Sequence, residues 1–158
     1  MSSALSAVAR LASGVGRGIL AGVVGTAAMT ISSTIEMKLR KREPSTAPAQ
    51  AASEVLGFRV WKQDQAKFAN LVHWQYGSSV GALRGLFSAM GLREPLASGV
   101  FFTAVWGTAL AMVPRLTDAP PVKEWGPEEL AIDGFHHLVY AVATSLAIGT
   151  LFKSRRKH

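Results

Sequence analysis

Four long apolar runs alternate along the chain with three connections that carry most of its charge, and this alternation predicts its elements. The runs cover residues 18–37, 68–90, 95–113 and 128–152. Each matches the length of roughly 20 helical residues needed to cross about 30 Å of hydrocarbon at about 1.5 Å per residue. The pattern therefore predicts an all-α fold: one domain over residues 1–158, an integral membrane bundle of four transmembrane helices.

The first connection, residues 38–67, is amphipathic and too long for a simple turn. Pro44-Ser45-Thr46 reads as a helix start, Ala47 to Leu56 as a short interfacial helix and Gly57 as its stop. Gly91-Leu92-Arg93-Glu94 ahead of Pro95 makes spans two and three a tight hairpin. The third connection holds Asp118-Ala119-Pro120-Pro121 and an interfacial Trp125, after which Pro127, Glu128 and Glu129 suit the positive end of a helix dipole. Upstream of span one, Ser3 to Ser13 is read as a separate interfacial helix with Leu5, Val8 and Leu11 on one side.

Small residues recur four apart in every span: Gly18, Gly22, Thr26 and Thr30; Gly77, Gly81 and Gly85; Gly99, Thr103, Gly107 and Ala111; Ala141, Ser145 and Gly149. Such stripes let backbones approach closely where lipid removes the hydrophobic drive between helices. For any one helix they also reflect the commonness of small residues in membranes. Span two, with Asn70, His73, Gln75 and Arg84, is the least apolar and is expected to be the most protein-buried.

A hydrophobic fraction of 49% and a mean hydropathy of +0.23 agree with a membrane class. The net charge of +7 comes from residues flanking the apolar runs, including the tail Lys153-Ser154-Arg155-Arg156-Lys157. Interleaved aromatics of a nucleic-acid surface are missing, so the lipid bilayer with its anionic headgroups is the expected partner, and nucleic acid is not. A chain without cysteine has no thiolate metal site and no disulfide. The acid-free start up to Arg17 also suits a transit or signal segment, but the apolar run after it is longer than a signal core, which favours an uncleaved span.

The candidate chemistry lies with the histidines. If four spans are counted, connections one and three share one side of the membrane, and Glu36, His73, Asp133, His136 and His137 all fall near that face. His73 precedes Gly77 by four and His137 precedes Ala141 and follows Asp133 by four, placing them on small-residue faces. His136 turns about 100° away from His137, toward Tyr140, and is expected to meet headgroups or the first connection. The cluster could hold a divalent metal through His73, His137 and Asp133 or Glu36, hold haem between two axial histidines, or pass and sense protons. The simpler alternative is a set of local pairings tolerated at an interface. No cofactor is required by the sequence.

Arg84 is read as snorkelling to headgroups, with an anion or substrate contact in the bundle as the alternative. Trp106, in mid-span, is read as packing. Gly14-Val15-Gly16-Arg17-Gly18 follows no strand, and nothing resembles a nucleophile elbow, so the chain is expected to be non-enzymatic.

At Arg42-Glu43-Pro44-Ser45, His73-Trp74-Gln75-Tyr76-Gly77 and Phe135-His136-His137-Leu138-Val139-Tyr140 the chain resembles the small bacterial inner-membrane proteins of the YagU-like kind. The resemblance implies a four-helix multi-pass fold in a bacterial inner membrane and no established activity. Lysine and arginine number seven on one side of the four-span topology and nine on the other, which does not orient it. The expectation is a small polytopic membrane protein with a proton-responsive or ligand-binding histidine and carboxylate cluster. Alternatives are a metal or haem carrier, or one protomer of an oligomeric transporter or channel.

Overall fold

The computed structural model describes residues 3–151, which are almost entirely helical. The described elements are α1 (Ser3–Arg40), α2 (Ala47–Leu56), α3 (Gln65–Ala89), α4 (Leu96–Leu116) and α5 (Pro127–Leu151), with single 3-10 turns at Lys62–Asp64 and Val122–Glu124. Among them α1, α4 and α5 are long and apolar enough to cross a membrane. The expected end of span four at Phe152 and the basic run Lys153 to Lys157 lie outside the described residues.

The expectation of a separate N-terminal helix is overturned. One unbroken helix of 38 residues runs from Ser3 to Arg40, straight through Gly14 and Gly18. Glycine in a helix interior costs about 1 kcal/mol relative to alanine. Here the missing side chains admit a neighbouring backbone, and that packing offsets the cost.

The neighbour is α3, which runs antiparallel to α1 along a continuous small-residue seam. A Cβ on Gly22 would stand 2.7 Å from the Ser78 carbonyl oxygen, and one on Gly81 would stand 2.6 Å from Gly22 Cα. A Cβ on Gly85 would stand 2.8 Å from Gly18 Cα, and one on Gly14 2.7 Å from Ala89 Cβ. Gly18, Gly22, Gly81 and Gly85 therefore pack as their spacing predicts, Gly14 extends the stripe, and Gly77 meets Thr26 at its upper end.

On an adjacent face α1 packs against α5, again antiparallel, through Ala21 and Gly25 against Ala147, Ile148, Tyr140 and Thr144. Helix α4 sits outside this trio, against α5 and α3. Its Phe101 and Val105 join Tyr140 and Ala141 in the largest apolar cluster, with Met29, Val80 and Leu83 around it. Gly107, expected to pack between helices, does not: a Cβ there, or at Gly99, would meet nothing within 4 Å among the described residues. The reason is that α4 turns its aromatic face inward and leaves its small-residue face on the outside of the bundle.

The burial ranking also differs from expectation. Helix α5 buries six residues, from His136 to Ile148, and α3 buries four, Ala69, Gly81, Arg84 and Gly85. Polar content marked α3 as interior, and α1, α2 and α4 do pack on it, but its closest approach runs through glycines that have no side chain to bury, whereas α5 sets larger residues such as Tyr140 and Ile148 against its neighbours.

The connections follow their capping chemistry. Helix α2 spans the expected residues and ends at Gly57, whose positive φ of 71° and N–H donation to the Ser53 carbonyl at 2.9 Å close the last turn. Rather than lying free on a surface, α2 buries Ala49 and packs on α3 and α4. Helix α3 stops at Gly91, with Leu92 N–H bonded back to the Phe87 carbonyl at 3.0 Å, and the Glu94–Pro95 peptide that follows is cis. Gln50 in α2 and Asp118 exchange two hydrogen bonds, at 3.2 and 3.3 Å, which ties the first connection to the third on one side of the molecule.

Candidate functional site

At the end of the bundle where α1 finishes and α3 and α5 begin, hydroxyls of α1 meet imidazoles from both neighbours. His73 Nε2 lies 3.2 Å from Thr30 Oγ1, whose own proton is donated to the Thr26 carbonyl at 2.8 Å. With that proton committed, Thr30 accepts, so His73 carries its proton on Nε2. Two residues further along α1, Ser32 Oγ lies 2.8 Å from His136 Nδ1.

His136 departs from its expected place. It is 7% exposed and faces α1, because the inward face of α5 is the one marked by Tyr140 and Thr144. Of the stripe Ala141, Ser145 and Gly149, Ala141 is buried and Ser145 accepts from Arg84, while a Cβ at Gly149 would meet nothing within 4 Å among the described residues. His136 Nε2 is the one buried side-chain nitrogen or oxygen among the described residues that has no hydrogen-bond partner. Its nearest carboxylate oxygen is Glu36 Oε2 at 3.9 Å, beyond hydrogen-bond reach.

Glu36 is itself held firmly. Arg42 donates to both of its oxygens, at 2.6 and 3.3 Å, and Arg40 Nε lies at 3.5 Å. Arg40 also pairs with Glu128 at the start of α5. Thus the basic start of the first connection folds back over α1 and joins it to α5.

Asp133 and His137 form a second group on α5. His137 Nδ1 donates to the Asp133 backbone carbonyl at 2.8 Å, since a carbonyl only accepts, and stands 3.5 Å from Asp133 Oδ2. That carboxylate oxygen accepts Trp106 Nε1–H at 2.9 Å. Trp106, expected only to pack, is therefore a polar partner bonding α4 to α5, with its ring lying over Gly134.

The five candidate residues thus sort into a Glu36–His136 pair beside Ser32, an Asp133–His137 pair beside Trp106, and His73 bonded to Thr30. The His73, His137 and Asp133 set suggested for a metal does not converge: among the described residues no group of three His, Asp or Glu side chains is placed to hold an ion. His73 and His137 instead direct a ring nitrogen at a hydroxyl and a backbone carbonyl.

A groove of about 760 Å³ opens between α1 and α5 beside the first pair. Ala28, Ile31, Ile35, Ala131, Ile132 and Phe135 form its walls, Ser32, Glu36 and His136 its polar floor, and Arg40 with Glu128 one end.

Toward the other end of the bundle, Arg84 does not snorkel. It is 2% exposed, donates from Nε to Ser145 Oγ at 3.0 Å and pairs with Glu94 of the α3–α4 connection, which also accepts from Ser98 Oγ at 2.5 Å. The buried alternative fits, and a carboxylate of this chain is the anion it meets. Glu94 went unrecognised as its partner because ten residues separate the two in sequence. The turn at Gly91 is what brings the chain back.

No family model, curated protein or solved structure matches the chain.

Proposed function

We propose that the chain is a non-enzymatic, multi-pass protein of the cell membrane whose helix contacts at one face respond to protonation. In this reading α3 is the fourth span: its 25 residues correspond to about 37 Å of helix, and it follows α1 along the whole glycine seam. The YagU-like resemblance, with a bacterial inner membrane as location, belongs to the same proposal and rests on the sequence around His73 and His137.

One observation carries the proton reading: imidazoles from two different helices, His73 of α3 and His136 of α5, bond to hydroxyls of the same helix. Imidazole changes charge between about pH 5 and 8. Gaining a proton turns each ring from one donor and one acceptor into two donors. At His136 the ring would then present N–H groups toward both Ser32 and Glu36, so the α1–α5 contact has a charge-dependent strength.

Because the sequence lacks cysteine, spin labels can be placed cleanly on exposed Leu39 and Leu138 by substitution with cysteine. The distance distribution in bilayers is expected to change between pH 8 and pH 5, and to stop changing in His73→Gln/His136→Gln. Identical distributions at both pH values in the unaltered protein would remove the proton role.

A further inference from the structure

We propose that the groove between α1 and α5 binds an uncharged lipid with a free hydroxyl, of the diacylglycerol kind, its hydroxyl seated between His136 Nε2 and the Glu36 carboxylate. Three features of the groove converge on that chemistry, and none of them depends on the pH response.

The first is the orphaned imidazole nitrogen. Burying a polar atom without a partner costs about 1–3 kcal/mol, so such an atom in a groove wall points to a group that completes it. The 3.9 Å between Nε2 and Glu36 Oε2 is too long for a direct bond and is a spacing that one bridging oxygen about 2.8 Å from each would span. When Ser32 donates to Nδ1, the imidazole proton sits on Nε2, and a hydroxyl can accept from it while donating to the carboxylate. A carbonyl or ether could fill only the first half of that role.

The second is charge. Glu36 and Glu128 are matched by Arg40 and Arg42, so the polar end of the groove is compensated before any ligand arrives. A phosphate head would face two carboxylates, and an ammonium head would compete with guanidinium groups already bonded. A neutral head disturbs neither pairing.

The third is the wall. Ile31, Ile35 and Phe135 are 62%, 54% and 56% exposed, an apolar track that faces hydrocarbon; this step rests on the membrane reading proposed above. The volume falls in the range of about 300–1,000 Å³ typical of small-molecule sites. Acyl chains can enter such a groove sideways from the bilayer with the head still at the interface.

The test uses the full chain in phosphatidylcholine vesicles containing a photoreactive dioleoylglycerol, with peptide mapping of the adducts. Label is expected on the α1 and α5 segments that line the groove, about tenfold above that from the same lipid acetylated at its hydroxyl, the equivalent of one hydrogen bond. Ala131→Trp, which fills the groove from an exposed position, should abolish it, and His136→Phe should erase the preference for the free hydroxyl. If His136→Phe does not fold, Ala131→Trp and the acetylated lipid still decide. Equal labelling by both lipids, preferential labelling by a photoreactive phosphatidylglycerol, or label confined to other helices would each overturn the proposal.

Discussion

Helices α1 and α4 carry the same sequence device with opposite structural outcomes. In α1, small residues every four positions from Gly14 to Thr30 lie against α3 so closely that backbone meets backbone. In α4, Gly99, Thr103, Gly107 and Ala111 repeat the spacing, yet a Cβ at Gly99 or Gly107 would meet nothing within 4 Å among the described residues. What separates them is the rest of each helix surface. Beside its glycine strip α1 has Ala21 and Gly25, which admit α5, whereas opposite its own strip α4 has Phe101, which is buried in the Tyr140 cluster. A small-residue stripe permits close approach, and the rest of the helix decides whether the permission is used.

The comparison is broken most sharply by Gly81→Val. Its Cβ would stand 2.6 Å from a backbone atom of α1, which cannot rotate away as a side chain could. A loss of about 3 kcal/mol or more is expected, read as a collapse of the helical melting transition in detergent. A melt within error of the unaltered protein would mean that the α1–α3 seam does not form. Next in size is Glu94→Gln, which leaves the buried Arg84 guanidinium with neutral acceptors only, Ser145 and the new amide oxygen, and no compensating charge; about 1–3 kcal/mol should be lost, and Arg84→Met/Glu94→Gln should recover part of it. A double variant no better than Glu94→Gln alone would show that the buried charge is not the cause.

Trp106→Phe keeps the ring and removes the N–H that α4 gives to Asp133, so about 0.5–1.5 kcal/mol is expected, seen as a modestly earlier melt. An unchanged melt would reduce that bond to ornament. Smallest is Gly107→Leu, where a side chain enters open space. Stability should move by less than about 0.5 kcal/mol. Crosslinking of the same variant in membranes reports whether the open α4 stripe meets a second chain, and a large fall in the melt would itself show that the stripe is covered.

The sequence disclosed much of this fold for definable reasons. Three of the four apolar runs, Gly57 as a helix stop and the Gly91 hairpin depend on local chemistry, and they appear where expected, whereas the run over residues 68–90 forms a helix that is not apolar enough to count as a span by composition. Spacing by four likewise identified Gly18, Gly22, Gly77, Gly81 and Gly85, because residues four apart share a face whatever lies opposite. Facing itself is a tertiary fact. His136 and His137 are neighbours in the chain, and choosing the inward one required knowing that α1 covers the Tyr140 face of α5. Arg84 was misplaced for a similar reason: its distance along the helix suggested headgroups, but the returning chain sets Glu94 beside it. The Ser32 and Trp106 contacts were illegible because a lone hydroxyl or indole carries no periodic signal, and Thr30, though on the four-residue stripe, had nothing to mark His73 as its partner.

A four-residue repeat has a consequence for how α1 and α3 find their alignment. Gly14, Gly18 and Gly22 opposite Gly77, Gly81 and Gly85 form a rack in which a slip of one helical turn again sets glycine beside glycine. The rack alone supplies notches without saying which notch is home. Thr30 with His73, and Tyr140 with the Gly77 carbonyl at 2.6 Å, each exist in one setting only, and a slip of about 6 Å would sever them. In this protein the glycines make sliding sterically easy, and a few polar bonds act as the pawl.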